Sequence, residues 1–109
     1  MEQSPTKVLR DVSAQLGVIL SPVDVHTLPP PAQKAVSSIR QQIIDARLEV
    51  RDYDLAQTRA EQLALIRPAH ERLEALHHSI LAVSSHGIFG AADVAHLSAQ
   101  IQHVISLLK

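Results

Sequence analysis

Residues 36–83 read VSSIRQQIIDARLEVRDYDLAQTRAEQLALIRPAHERLEALHHSILAV, and the spacing of the apolar residues within them decides the fold class. Val36, Ile39, Ile43, Ala46, Val50 and Tyr53 recur at alternating steps of three and four. Residues so spaced fall on one side of a helix, so the run predicts an amphipathic helix with a coiled-coil-like seam. Ile66, Ala69, Leu73, Leu76, Ile80 and Val83 repeat the alternation. On a strict heptad the two runs are out of phase by about two positions, so something interrupts the pattern between them. Two architectures follow. In the first the chain turns near Arg51–Asp54 and again at Pro68, giving an all-α compact bundle or helical-hairpin array of four or five amphipathic helices. In the second, one long helix from residue 31 to 83 kinks at Pro68 and carries two short helices packed on it. At 1.5 Å per residue that helix would be about 80 Å long, and a chain this short could hardly cover its seam, so the second architecture predicts a dimer.

Outward from this stretch, the flanks carry their own punctuation. Ser4-Pro5 is a helix start: a Ser that can cap free backbone N–H groups, then Pro at the first helical position. Leu9, Val12, Leu16 and Ile19 line one face of that helix, and Gly17 either ends it early or is tolerated inside it. Ser21-Pro22 marks a further short turn. Pro29, Pro30 and Pro31 cannot donate backbone hydrogen bonds and read as a stiff linker, with the next helix beginning near Pro31 or Ala32. Gly87 and Gly90 bracket a loop before the last helix, whose apolar face is Val94, Leu97, Ile101, Val104 and Leu108. Asp93 sits in its first turn, where a carboxylate meets the positive end of the helix dipole.

The chain has 109 residues, within the size of one domain, so residues 1–109 are read as a single all-helical domain. Hydrophobic residues make up 46 % but aromatics only 2 %, which leaves the core to Leu, Ile, Val and Ala and gives no surface for stacking bases. Formal net charge is −1 and no basic stripe stands out, so nucleic acid is not an expected partner. The absence of cysteine excludes disulfides, Cys-ligated zinc and thiol catalysis, and fits a reducing compartment. Uncharged runs are too short or too polar to cross a bilayer, and Glu2 and Asp11 interrupt any signal-peptide pattern. The expectation is a soluble, cytoplasmic protein with no membrane partner.

One segment has a family likeness. Asp52-Tyr53-Asp54-Leu55-Ala56 followed by Leu63-Ala64-Leu65-Ile66-Arg67-Pro68 resembles the second helix of a tetratricopeptide repeat. In that family an Asp-Tyr-type turn enters the helix, a small residue at the position of Ala56 allows close approach, and a proline at the position of Pro68 closes the repeat. The preceding helix matches at Ile43 and Ala46 and departs at Ile44 and Arg51. The likeness covers about residues 40–68, a single copy where such repeats come in arrays. It implies a protein-binding scaffold rather than an enzyme.

Seven histidines, at positions 26, 70, 77, 78, 86, 96 and 103, are the main candidates for chemistry. Glu74 and His77 form one Glu-x-x-His step, but di-iron bundles need two such steps and two further glutamates. His78 is followed by Ser79, Ile80, Leu81 and Ala82. A phosphotransfer histidine would have a lysine where Leu81 stands. No Gly-rich phosphate loop or convincing carboxylate pair exists. The reading is therefore a non-enzymatic protein–protein interaction module (an adaptor, small chaperone or assembly subunit) with no catalytic, cofactor-binding or metal residues assigned. Its partner is another protein or a second copy. Between Ser84 and Leu108 the only formal charge is Asp93, which points to a homodimer that includes the last helix. The alternative is a small histidine phosphotransfer or metal-binding bundle.

Overall fold

Ser4 accepts a hydrogen bond from the Lys7 backbone N–H and Pro5 follows at the first helical position, so the first helix starts where the sequence places it. In the computed structural model, which describes residues 4–108, this helix is α1, Pro5–Leu20. Gly17 lies inside it, exposed and with open space around it. A 3₁₀ turn over Val25–Thr27 follows, started by Asp24, whose side chain accepts from the His26 backbone N–H. Helix α2 spans Pro30–Leu55, α3 Arg59–Ser84 and α4 Ala91–Leu107. The described residues contain no strand, and the molecule is an all-α helical bundle.

Two boundaries differ from expectation, each for a backbone reason. The triple proline is not all linker: Pro30 and Pro31 are the first two residues of α2. N–H groups in a first turn have no intrahelical acceptor, so prolines there forfeit nothing. Leu28 and Pro29 supply the matching acceptors, Leu28 O taking the Gln33 side-chain amide at 2.7 Å and Pro29 O the Gln33 backbone N–H at 3.0 Å. The second difference concerns the middle of the chain. Residues 51–54 remain helical and the chain reverses at Ala56–Thr58. Thr58 caps α3 by accepting from Glu61 N at 3.1 Å, and Glu61 reaches back to Gln57 N at 3.1 Å, a variant of the capping box. This break rules out the single long helix over 31–83.

Pro68 then lies in the middle of α3 without ending it. Its missing N–H leaves the Ala64 carbonyl without an intrahelical donor. Both residues are exposed, so water can serve that carbonyl. Of the resemblance segment, Asp52–Leu55 thus forms the last turn of α2, Ala56 lies in the connection and Pro68 sits mid-helix.

The helices form a closed ring. α2 and α3 make the most extensive pair, α1 packs on α2 and α4, and α4 packs on α1 and α3, while neither diagonal pair approaches closely. α1 runs antiparallel to α2, with Thr6 meeting Asp54 and Ser13 meeting Arg47. The short connections turn α3 back along α2, where Arg72 meets Asp45 and Glu49, and α4 back along α3, where His77 meets Ser98. The core is almost wholly aliphatic, with Leu9, Ile39, Leu73, Leu76, Ile80, Leu97 and Ile101 fully buried and no buried polar residue among the described residues. Of the twelve residues in the two predicted seams, all but Ile66 are buried, and Ile66 packs against the core's edge. The lone Phe89 closes the core from the α3–α4 loop at 5 % exposure.

α2 and α3 are 26 residues each, against 16 for α1 and 17 for α4, so the central hairpin outreaches its flanks. Antiparallel packing that sets Ser98 beside His77 brings the end of α4 to about residue 68 of α3. The first two turns of α3 extend beyond it, which accounts for Leu63 at 56 % exposure.

Candidate interaction surface

The outer side of α2 departs from the usual polar surface. Ile44 is 52 % exposed, Leu48 45 % and Leu55 68 %. They stand at i, i+4 and i+11, one row along the helix. Single exposed aliphatics are ordinary, but a row on one helix side is an informative departure. Ile44 and Leu48 form one wall of an open groove of ≈ 250 Å³ between α1 and α2, with Thr6, Leu9, Arg10, Arg47 and Arg51 completing its lining.

Local contacts hold the groove's edges. At one end the Thr6 backbone N–H donates to Asp54 Oδ2 at 3.2 Å, and the Thr6 hydroxyl donates to the same oxygen. Along the middle, Arg47 donates to Ser13 Oγ at 3.3 Å. The short Thr6 side chain in the lining leaves space that a longer one would fill. The groove floor includes Leu9, fully buried, so the edges are anchored on the core.

The opposite side of α2 is already occupied. Arg72 of α3 donates to Glu49 at 3.0 Å and approaches Asp45 at 3.8 Å. The hydrogen bond that Arg72 donates to Glu49, followed by that carboxylate's charge, raises the Arg72 guanidinium above its ordinary value. With these contacts made, this side of α2 belongs to the bundle.

The histidines do not converge. His77 is hydrogen-bonded to Ser98 Oγ at 2.9 Å across the α3–α4 interface, a contact within the bundle. Glu74 is exposed beside it. His78 is exposed on the outer side of α3 and His70 is half-buried two turns earlier; His26 and His86 are exposed in connections, and His96 and His103 are exposed two turns apart on α4. Among the described residues no group of three or more His, Cys, Asp or Glu is placed to hold a metal ion.

Sequence reading missed the groove because the charges of α2 balance along the chain. Arg40, Arg47 and Arg51 are offset by Asp45, Glu49 and Asp52, so no basic stripe stands out. Their spacing did carry the signal: 40, 44, 47 and 51 form one helical row, Arg-Ile-Arg-Arg. Arg10 joins it only through the packing of α1. No family model matches the chain, and neither curated proteins nor solved structures show a significant similarity to it. No helix among the described residues is long and apolar enough to cross a membrane.

Proposed function

We propose that this protein is a non-enzymatic protein–protein interaction module, of the adaptor, small-chaperone or assembly-subunit kind, and that its docking surface is the α1–α2 groove. The observation that carries the reading is the exposed apolar row Ile44, Leu48 and Leu55 on a bundle whose core is otherwise well covered. Apolar side chains left in water on one helix face gain free energy when a partner covers them. The histidine alternative has less support, since His77 is engaged with Ser98 and His78 lacks a nearby lysine in its own turn.

A photo-crosslinking amino acid at position 48, compared with one at position 78 on the outer side of α3, tests this in the native cell. Adducts to protein from position 48 and few from position 78 are expected. No adduct at position 48 would sink the reading.

A second reading concerns self-association. The outer positions Ala95, Ala99 and Gln102 of α4 are exposed, and the helix carries one formal charge, Asp93, which favours a homodimer through α4. Sedimentation equilibrium at about 100 μM tests it, that being a concentration at which weak dimers with micromolar dissociation constants populate. A single monomer mass there removes the dimer.

A further inference from the structure

The charges around the apolar row indicate what would cover it. Arg10, Arg47 and Arg51 line the groove with Ile44 and Leu48, and Arg40 lies one turn before Ile44 in the same row. The acids of α2 are not available to them in equal measure. Asp45 and Glu49 face Arg72, and Asp54 is engaged by Thr6. Asp52 lies 3.8 Å from Arg51 with both side chains more than half exposed, a contact of little energy. Among the described residues Arg10, Arg40 and Arg47 make no ion pair. Guanidinium groups flanking an apolar strip match carboxylates flanking apolar anchors, and each can take a carboxylate through paired N–H donors.

We propose that the α1–α2 groove binds an acidic amphipathic helix of another protein. Its aliphatic anchors lie on Ile44 and Leu48, and its carboxylates pair with Arg10, Arg47 and Arg51. This rests on the interaction-module reading above and specifies its partner. The row from Ile44 to Leu55 runs about 16 Å along α2, three turns, which suits anchors repeating at helical spacing on a partner laid alongside. The other occupants fit less well. A second copy could bring the exposed Glu71 and Glu74 of α3, but Arg67 stands in the same helical row and holds Glu71, which would set a further cation against the groove's arginines. Single-stranded nucleic acid would need aromatic platforms, and Tyr53 and Phe89, the chain's two aromatics, are both buried.

Fluorescence anisotropy with three labelled helical peptides of about four turns tests the proposal. The first carries leucines at helical spacing flanked by glutamates. In the second every glutamate is lysine, and in the third every leucine is alanine. The acidic leucine peptide should bind the full chain, and the other two at least about tenfold more weakly. Binding should weaken as salt rises from about 50 to about 300 mM. The double variant Arg47→Glu, Arg51→Glu should lose the acidic peptide and gain the lysine peptide. Ile44→Asp should weaken both pairings, with helicity by circular dichroism unchanged for each variant. Equal binding of the acidic and lysine peptides, or no effect of the arginine reversals, overturns the proposal. So does displacement of the peptide by an equal length of single-stranded DNA. If position 48 yields adducts to another protein but the acidic peptide does not bind, the module reading stands and the acidic helix is wrong. Adducts only between copies of this chain also overturn the acidic helix in favour of self-docking. Absence of adducts fails the module reading whatever the peptides do.

Discussion

Pro68 shows how a single residue can oppose the element that contains it. A proline inside a helix costs about 3 kcal/mol through its lost hydrogen bond and the clash with the preceding turn. Here α3 continues through it, because Leu73, Leu76, Ile80 and Val83 on one side and Ile66 on the other bind the helix to the core. Pro68→Ala should restore the bond to the Ala64 carbonyl and stabilise the protein by about 1 kcal/mol or more, measured by urea unfolding. An unchanged or lower midpoint would mean that the helix has adapted its local geometry to proline. Leu73 is the opposite case. It is fully buried in an aliphatic core, so Leu73→Ala should cost about 2–5 kcal/mol in the same measurement, lost transfer energy plus a cavity. Ile44, half exposed, should tolerate replacement by Asp within about 0.5 kcal/mol, since it contributes little to the core and, on the proposed reading, serves a partner.

Among the elements, the α2–α3 hairpin depends on its three-residue connection. The apolar seams of α2 and α3 each want a helix of their own phase, and the phase offset is absorbed where no seam residue has to point inward, at Ala56–Thr58. The Thr58 cap and the Glu61 return contact end the ambiguity about where α3 begins. Thr58→Ala should therefore destabilise the protein by about 1 kcal/mol, and Thr58→Asp should retain most of the stability, because either oxygen can accept from the N3 backbone N–H. Equal losses for the two variants would show that the cap is not the reason. Farther along the hairpin, Arg72 joins α3 to Asp45 and Glu49 of α2. Arg72→Ala should lower the thermal midpoint at low salt and lower it less at high salt, since these half-exposed charges are screened. A loss independent of salt would point to packing by the arginine stem instead.

For the molecule as a whole, stability comes from four helices burying one aliphatic core with no buried polar residue among the described ones. Nothing in that core calls for a ligand. EDTA should leave the thermal midpoint unchanged within error, whereas a drop of many degrees would restore the metal reading. The thickness of the bundle also has a consequence. Its extents are 47 × 27 × 18 Å, so every helix has one side toward solvent. The docking surface proposed above is accordingly a groove between neighbouring helices, where exposed aliphatics meet arginines with no ion pair or only a weak, exposed one.

The fold class was legible from periodicity. Val36 to Tyr53 and Ala69 to Val83 are core residues because helical spacing puts them on one side, and any tertiary solution must bury that side. The start of α1 was legible too, since Ser4 and Pro5 act within their own turn. The break between α2 and α3 was displaced in the reading from Ala56–Thr58 to Arg51–Asp54. Charged residues in the last turn of a helix look like a turn until packing holds Tyr53 at the core. Pro68 was read as a junction or a kink; the helix does not end there, because contacts on both sides of it outweigh the local preference against a helix. Nothing local could place Arg10 beside Arg47 and Arg51, since they are separated by almost the length of two helices and a linker. Periodicity is written in neighbouring residues, whereas a groove between two helices depends on which faces the folded chain brings side by side.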